Sequence, residues 1–291
     1  MSTNINPRID IAFKKIFGVE ENKDLLISLI NSIVSREDQV AEVTLLNPYN
    51  LQSFRQDKLS ILDIKAKGID GKHFNIEIQV SDEEDYDKRA LYYWAKLYTD
   101  QLKATEGYRN LNKAIGIHIL NFTSIPEVNE YHNVFNIREK VTNLEYFKDL
   151  ELHTIELKKF AGSGSRELDD LVNKVKSSLD MWVAFLTRHD LLEQDRLPKS
   201  LDNPSLKKAL DVLQVMNFKQ EERDAYEDRL KWFMIEDSAL SKRWKECKEE
   251  GRQEEKLQIA IALKAKGIDI SIISETTGLS IDEIKKLNNY Q

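Results

Sequence analysis

Apolar positions change their spacing several times along the chain, and each change marks an element. Ile9, Phe13, Ile16 and Phe17 recur three and four apart, and Leu25, Leu26, Leu29, Ile30 and Ile33 resume the rhythm. Side chains at that spacing share one helix face, so residues 8 to 34 are predicted helical, with Gly18 dividing two pieces. Strand-forming runs follow at 42–47 (EVTLLN), 58–67 (KLSILDIKAK) and 72–80 (KHFNIEIQV). Ala90, Tyr93, Trp94, Leu97, Tyr98 and Leu102 then make one apolar face on a helix predicted over 84–104. KAIGIHILNF at 113–122 reads as a strand, and weaker strand signals at 132–138 and 151–158 lie beyond the break at Pro126.

From about residue 166 the pattern turns helical. Leu168, Leu171, Val172 and Val175 begin it, Met181, Trp182, Phe185 and Leu186 continue it, and 206–234 is similar. The stretch SKRWKECKEEGRQEEK at 241–256 is almost wholly charged and reads as an exposed helix or a linker. Gly267 and Gly278 divide the tail into three short helices. This order predicts an α/β fold: a mixed sheet flanked by helices, with helical C-terminal elaborations. The expected division is a core at 1–165, a helical extension at 166–240 packed on that core, and a charged linker with a small helical unit at 241–291.

The hairpin at 59–80 is where the alternation carries most information. Phe74, Ile76, Ile78 and Val80 alternate with His73, Asn75, Glu77 and Gln79, while Leu62, Ile64 and Ala66 alternate with Ile61, Asp63, Lys65 and Lys67. Opposed residues of an antiparallel pair point to the same face. For the apolar sets to meet, Leu62 must oppose Ile78 and Ile64 must oppose Ile76. Asp63 then stands opposite Glu77, and Ile61 opposite Gln79. The register needs an odd-numbered loop such as Ile69-Asp70-Gly71, with Gly71 as the left-handed residue. Two carboxylates and an amide therefore converge. Neighbouring carboxylates repel unless a cation neutralises them, and Mg²⁺ prefers such oxygen donors and serves phosphoryl chemistry. The same alternation also describes an ordinary two-sided sheet with its polar face in solvent, and pattern alone favours that plainer account.

Composition narrows the classes. In 291 residues, 41% are hydrophobic and 32% charged, as in a globular protein rather than a disordered one. No apolar run reaches the roughly 18 residues of a membrane helix, and the N-terminal stretch lacks a signal-peptide core. The net charge of −7 argues against nonspecific coating of nucleic acid, which needs a strong basic excess, but leaves room for a compact site with a basic rim. The single cysteine, Cys247, permits no disulfide within the chain, and no Cys/His spacing fits zinc, so a cytoplasmic setting is expected. His73, His118, His132, His153 and His189 show no ligand spacing; His118, between Ile117 and Ile119, is expected to pack in the sheet.

Several stretches together resemble the PD-(D/E)XK superfamily, and within it the Rpn family of recombination-promoting, transposase-related nucleases. They are DIAFKKIFG at 10–18, LDIKAKGIDGKHFNIEIQV at 62–80, DKRALYYWAKLYTDQL at 87–102, AIGIHIL at 114–120, ELKKF at 156–160 and the IISETTGLSIDEIKKL tail. The resemblance implies a restriction-endonuclease-like core that hydrolyses phosphodiester bonds in DNA with Mg²⁺ (or Mn²⁺). It implies Asp63 and Glu77 as metal ligands, with the backbone carbonyl of Ile78 as a third. Gln79 falls where the superfamily usually has a lysine that positions or activates water. An amide brings no charge, so the work shifts to metal-bound water or to a lysine from elsewhere, Lys65 or Lys14. Asp10 corresponds to an acid supplied by the first helix, with an N-cap or early-turn acid as the plain alternative. Arg89, sharing a helix face with Tyr93, is implied to contact the scissile phosphate, the alternative being a stacked Arg–Tyr pair that buttresses the sheet.

The tail resembles a small helix-turn-helix unit, with Ser280 and Glu283 fitting a capping box. Asp282 and Glu283 stand where a DNA-reading helix usually presents basic or amide groups. A packing module, or a homodimer formed through this helical region, is therefore expected in preference to base readout. Two rivals to the nuclease accompany it: a DNA-binding relative without cleavage, and a helical interaction protein.

Overall fold

In the computed structural model the described residues are 5–48, 63–81, 85–103, 105–161, 167–214 and 220–287. They divide into two compact units, Met1–Leu230 and Lys231–Gln291. The first unit opens with α1 (Asp10–Phe17) and α2 (Lys23–Ile33), separated at Gly18 as the spacing predicts. A six-stranded mixed sheet follows, built from β1 (Val43–Leu45), β2 (Asp63–Gly68), β3 (His73–Gln79), β4 (Ala114–Leu120), β5 (His132–Ile137) and β6 (Phe147–Glu156) in the order β1-β2-β3-β4-β6-β5. Helix α3 (Tyr86–Thr99) is the crossover that lets β3 and β4 run parallel. Then come α4 (Leu157–Ala161), α5 (Leu168–Lys174), α6 (Ser178–Arg188) and α7 (Pro204–Val212). The mixed α/β class with C-terminal helices is as predicted.

Both central strands are buried along their whole length, because helices cover the two sheet faces. The apolar face carries Ile64, Ala66, Phe74, Ile76, Ile78, Ile115, Ile117 and Ile119, all buried. Gly18, at the end of α1, lies against Ile64 on this side. Around α1, α2 and α6 the ring of Phe17 packs against Phe13 at 4.9 Å and edge-on to Trp182 at 5.3 Å, and Trp182 in turn meets Phe185 at 5.8 Å. The polar face lies under α3, where Trp94 Nε1 donates to the Ala114 carbonyl at 2.7 Å.

Three boundaries differ from the sequence reading. Helix α3 is shorter than 84–104, ending at Thr99, where Asp100 N donates to the Lys96 carbonyl at 2.8 Å. β6 begins at Phe147 rather than 151, because its partner β5 bulges between Phe135 and Ile137 and pairs Ile137 with Phe147. That irregular, exposed hairpin shows no clean alternation to read. The charged stretch 241–256 is the interior of α8 (Gln220–Ala265), not a linker. Gly251 lies in open space and does not break it, and same-face contacts such as Gln253 Nε2 to Glu249 Oε1 at 3.0 Å support it. Residues 58–62 of the predicted β2 lie outside the described residues.

In the second unit, α9 (Ile270–Thr277) and α10 (Ile281–Lys286) follow α8. Gly267 (φ +75°) and Gly278 (φ +71°) adopt the left-handed backbone that ends α8 and α9, as the two glycine breaks predict. Ala260, Ile273, Leu279 and Ile284 close a small core, and the Ser280–Glu283 capping box starts α10.

The sheet end away from the hairpin opening is held by charge. Lys113 Nζ lies 2.7 Å from both Asp38 Oδ2 and Glu151 Oε2; Glu151 Oε1 bonds His153 at 2.8 Å, and His153 bonds His132 at 2.9 Å.

Two stability predictions follow from this packing. Phe17→Ala removes a fully buried ring from the contact between α1, α2 and α6 and should cost about 3–5 kcal/mol in urea denaturation read by tryptophan fluorescence. A loss under about 1 kcal/mol would show that the surroundings collapse into the hole. Burial, reinforced by His153, lowers the His132 pKa from 6.5 to about 4, and burial with Arg8 does the same to His189. Because the folded values lie below the unfolded one, the unfolded chain takes up protons first, and stability falls as pH drops from about 6.5 toward 4. The urea midpoint should decline across that window, and decline less steeply in the double variant His132→Asn, His189→Gln, in which buried His118 still titrates; an unchanged wild-type midpoint refutes this.

Candidate functional site

The β2–β3 hairpin forms in the register demanded by burial. Ile64 pairs with Ile76, and Asp63 pairs with Glu77. Gly71 takes φ +89°, and Gly68 N donates to the Lys72 carbonyl at 2.9 Å, closing the three-residue loop 69–71. Ile61 and Leu62, and hence their pairing with Gln79 and Ile78, lie outside the described residues. A register slip of one residue would expose the whole apolar set, so core burial and the Asp63–Glu77 juxtaposition are one constraint.

Glu77 and Gln79 do not face solvent. Each is only 4% exposed, because α3 lies over them. Arg89 descends from α3 and its Nη2 donates to Glu77 Oε1 at 3.1 Å and to Gln79 Oε1 at 2.7 Å. The Gln79 amide donates in turn to the Ser81 carbonyl at 3.2 Å. A buried carboxylate needs such pairing to stay charged at an acceptable cost. The Arg89 guanidinium also lies over the ring of Tyr86, 5.2 Å from its centroid. The aromatic partner is thus Tyr86, three residues earlier, and the sheet contact is made by Arg89 itself.

His118, which the sequence reading left as a packing residue, and Tyr86, which it did not single out, are both site neighbours. Parallel pairing sets His118 beside Glu77 in the sheet, and the Tyr86 hydroxyl bonds His118 Nδ1 at 2.7 Å. Burial, then the charges of Arg89 and His153, lower the His118 pKa to about 4, so the imidazole is neutral near pH 7 and presents no second cation to Glu77. The parallel register of β3 and β4 was the missing signal, since alternation in one strand says nothing of its neighbour's.

Asp63 is less enclosed. Lys65 Nζ stands 3.7 Å from its Oδ2, and Asn47 clasps the strand there, donating to the Asp63 carbonyl at 3.1 Å and accepting from Lys65 N at 2.6 Å. Ile78 turns its side chain into the core. Asp10 is the first residue of α1, not its N-cap. Its Oδ1 accepts from Ile11 N at 2.8 Å, and Arg229 Nε lies 3.3 Å from its Oδ2. Burial raises its pKa, opposed chiefly by Arg229. One turn on, Lys14 is buried, and burial lowers its pKa to about 8 against the opposing pull of Asp63 and Asp10. Among the described residues, no group of three or more His, Cys, Asp or Glu side chains is arranged to hold a metal ion.

Comparison with known families gives a match over residues 7–242 to the PD-(D/E)XK nuclease family transposases. The chain belongs to that family. Residues 253–289 match the C-terminal HTH domain of the Rpn/YhgA-like nuclease family, in agreement with the capped α9–α10 pair. No curated protein and no solved structure gave a match. Membership supports a PD-(D/E)XK nuclease-like function, and such nucleases generally use divalent metal ions. No helix among the described residues is long and apolar enough to cross a membrane.

The surroundings of Gln79 generate a prediction for this PD-(D/E)XK member. Gln79→Lys removes the acceptor for Arg89 and sets an ammonium against its guanidinium. It should destabilise the fold by about 1–3 kcal/mol, read as a shifted urea midpoint. A neutral or stabilising result would mean that Arg89 has another position available.

Proposed function

We propose that the chain is a divalent-metal-dependent deoxyribonuclease that hydrolyses phosphodiester bonds. The observation that carries this reading is the pairing of Asp63 with Glu77 on one sheet face, inside a chain of the PD-(D/E)XK family. Their oxygens, with the Ile78 backbone carbonyl, form a hard donor set suited to Mg²⁺ or Mn²⁺. Mg²⁺ in particular takes one or two carboxylates and fills its remaining positions with water and substrate phosphate, so a third acidic side chain is not required. When bound, the ion would polarise a phosphate oxygen and acidify a water.

The protein side chains have separable tasks. Asp63 and Glu77 hold the ion, and Asp63, the more open of the two, faces the incoming strand. Gln79 orients its neighbours by hydrogen bonds without adding charge. Arg89 sets its charge against Glu77 and lies close enough to the same carboxylate to meet a phosphate oxygen. Asp10 fixes Arg229 beside the first helix. The HTH match favours DNA as the partner, while the carboxylates of Asp282 and Glu283 in the first turn of α10 disfavour a close approach of that turn to phosphate or bases. A homodimer through the tail has no such support, and its buried apolar residues Ala260, Ile273 and Ile284 already pack within the unit. The link to recombination or mobile DNA rests on the transposase family alone, and action in the cytoplasm on composition alone.

Plasmid relaxation with Mg²⁺ or Mn²⁺ tests the reading. Wild-type protein should nick or linearise DNA, and Asp63→Ala and Glu77→Ala should each lower the rate about 100-fold or more, since each deletes a charged ligand. Wild-type rates from both folded variants would overturn the site. Metal binding without any wild-type cleavage would instead favour a DNA-binding relative.

A further inference from the structure

We propose that β5, the last strand of the sheet, is the edge along which two copies of this chain pair around a two-fold axis. Among the described residues the two ends of the sheet are built differently. At one end β1 is only three residues long and buries both Val43 and Leu45, which leaves little for another strand to join. At the other end β5 runs over six residues, and its Val134, Phe135 and Ile137 are 51%, 44% and 44% exposed. Soluble proteins usually blunt such an edge with lysine, proline or a covering element. From Tyr131 to Ile137 the chain has neither a charged side chain nor a proline, although 32% of its residues are charged. The irregularity between Phe135 and Ile137 lies beyond the regularly paired part of the strand.

The hydrogen-bonding phase of β5 follows from its inner side. Glu156 N donates to the Tyr131 carbonyl at 2.7 Å, and Asn133 and Phe135 stand opposite Thr154 and Leu152. Bonded and non-bonded pairs alternate along an antiparallel ladder. Tyr131, Asn133 and Phe135 therefore turn their peptide groups toward β6, while His132 and Val134 turn theirs to the open edge. An added strand bonds those outward groups and covers the apolar side chains at once. A second copy suits this edge because the strand complements itself when reversed. A two-fold centred on Val134 pairs outward residues with outward residues, so each Val134 N–H meets the carbonyl of its counterpart. It sets Val134 against Val134 and brings the two Phe135 rings within diagonal reach. Beyond the charge-free run it carries Glu130 of one copy toward Arg138 of the other, and both are exposed. Backbone phase, apolar contact and end charge thus agree on one register.

Sedimentation equilibrium of the full-length chain from about 1 to 100 µM, a range that spans micromolar affinities, tests this. Wild type should form dimers. Val134→Lys sets two ammoniums against each other at the axis and should abolish them. Glu130→Arg or Arg138→Glu alone puts like charges at both ends of the seam and should weaken dimerisation about 10-fold. The two swaps together should restore it to within about 3-fold of wild type, because only a second copy reverses both charges at once. All three side chains are exposed, so each variant should keep the wild-type thermal midpoint, which is measured alongside. A wild-type monomer throughout the range would overturn the proposal. So would a dimer that Val134→Lys leaves intact, or a double swap no better than the single ones. The readout does not use cleavage, so it stands whether or not the chain cuts DNA.

Discussion

Everything at this site depends on one constraint: β3 and β4 are buried on both faces, yet one face of β3 is polar. Period two sends His73, Asn75, Glu77 and Gln79 to the side that α3 covers. An ionised carboxylate held away from water costs several kcal/mol unless a countercharge and hydrogen bonds accompany it. Arg89 provides both from the covering helix, and its stacking on Tyr86 holds the guanidinium in position. The helix that buries Glu77 therefore also carries the group that makes its burial tolerable. Substituting either partner removes the countercharge from the other, so fold and site are energetically coupled here.

The same coupling explains the arrangement of the hairpin. A three-residue loop with a left-handed Gly71 sets the register, the apolar face confirms it, and the two acids become neighbours as a result. The parallel β3–β4 pair extends the polar row sideways to His118, whose ring burial keeps neutral. A neutral imidazole beside Glu77 adds no second cation to the charge that Arg89 sets against that carboxylate.

How much of this was legible in the sequence depended on whether one strand or two elements were involved. The hairpin register and the Asp63–Glu77 pairing were readable because regular alternation on both strands admits one solution. The aromatic partner of Arg89 was not, since Tyr86 and Tyr93 are three and four residues away and both spacings put them on its face. The continuity of α8 through 241–256 was obscured for a different reason: a solvated helix leaves no apolar stripe, and its same-face polar contacts look like any charged run. β6 was misplaced at its start because its outer half pairs with an irregular, exposed edge strand. Residues of α1 were singled out only through the resemblance, as nothing in the chain between 10 and 63 announces that the end of this helix meets Ile64.

The position of Arg89 bears on why an amide is tolerable at position 79. A lysine on β3 would deliver its charge from within the sheet, next to Glu77. In this chain the cation comes instead from the helix laid over that face, as Arg89 of α3. A strand lysine in addition would crowd Arg89 and weaken its pairing with Glu77. Gln79 resolves the conflict, because its carbonyl oxygen accepts from Arg89 while its amide donates to Ser81. The neutral side chain is thus the one that Arg89 accommodates, and its lack of charge matches where that cation enters.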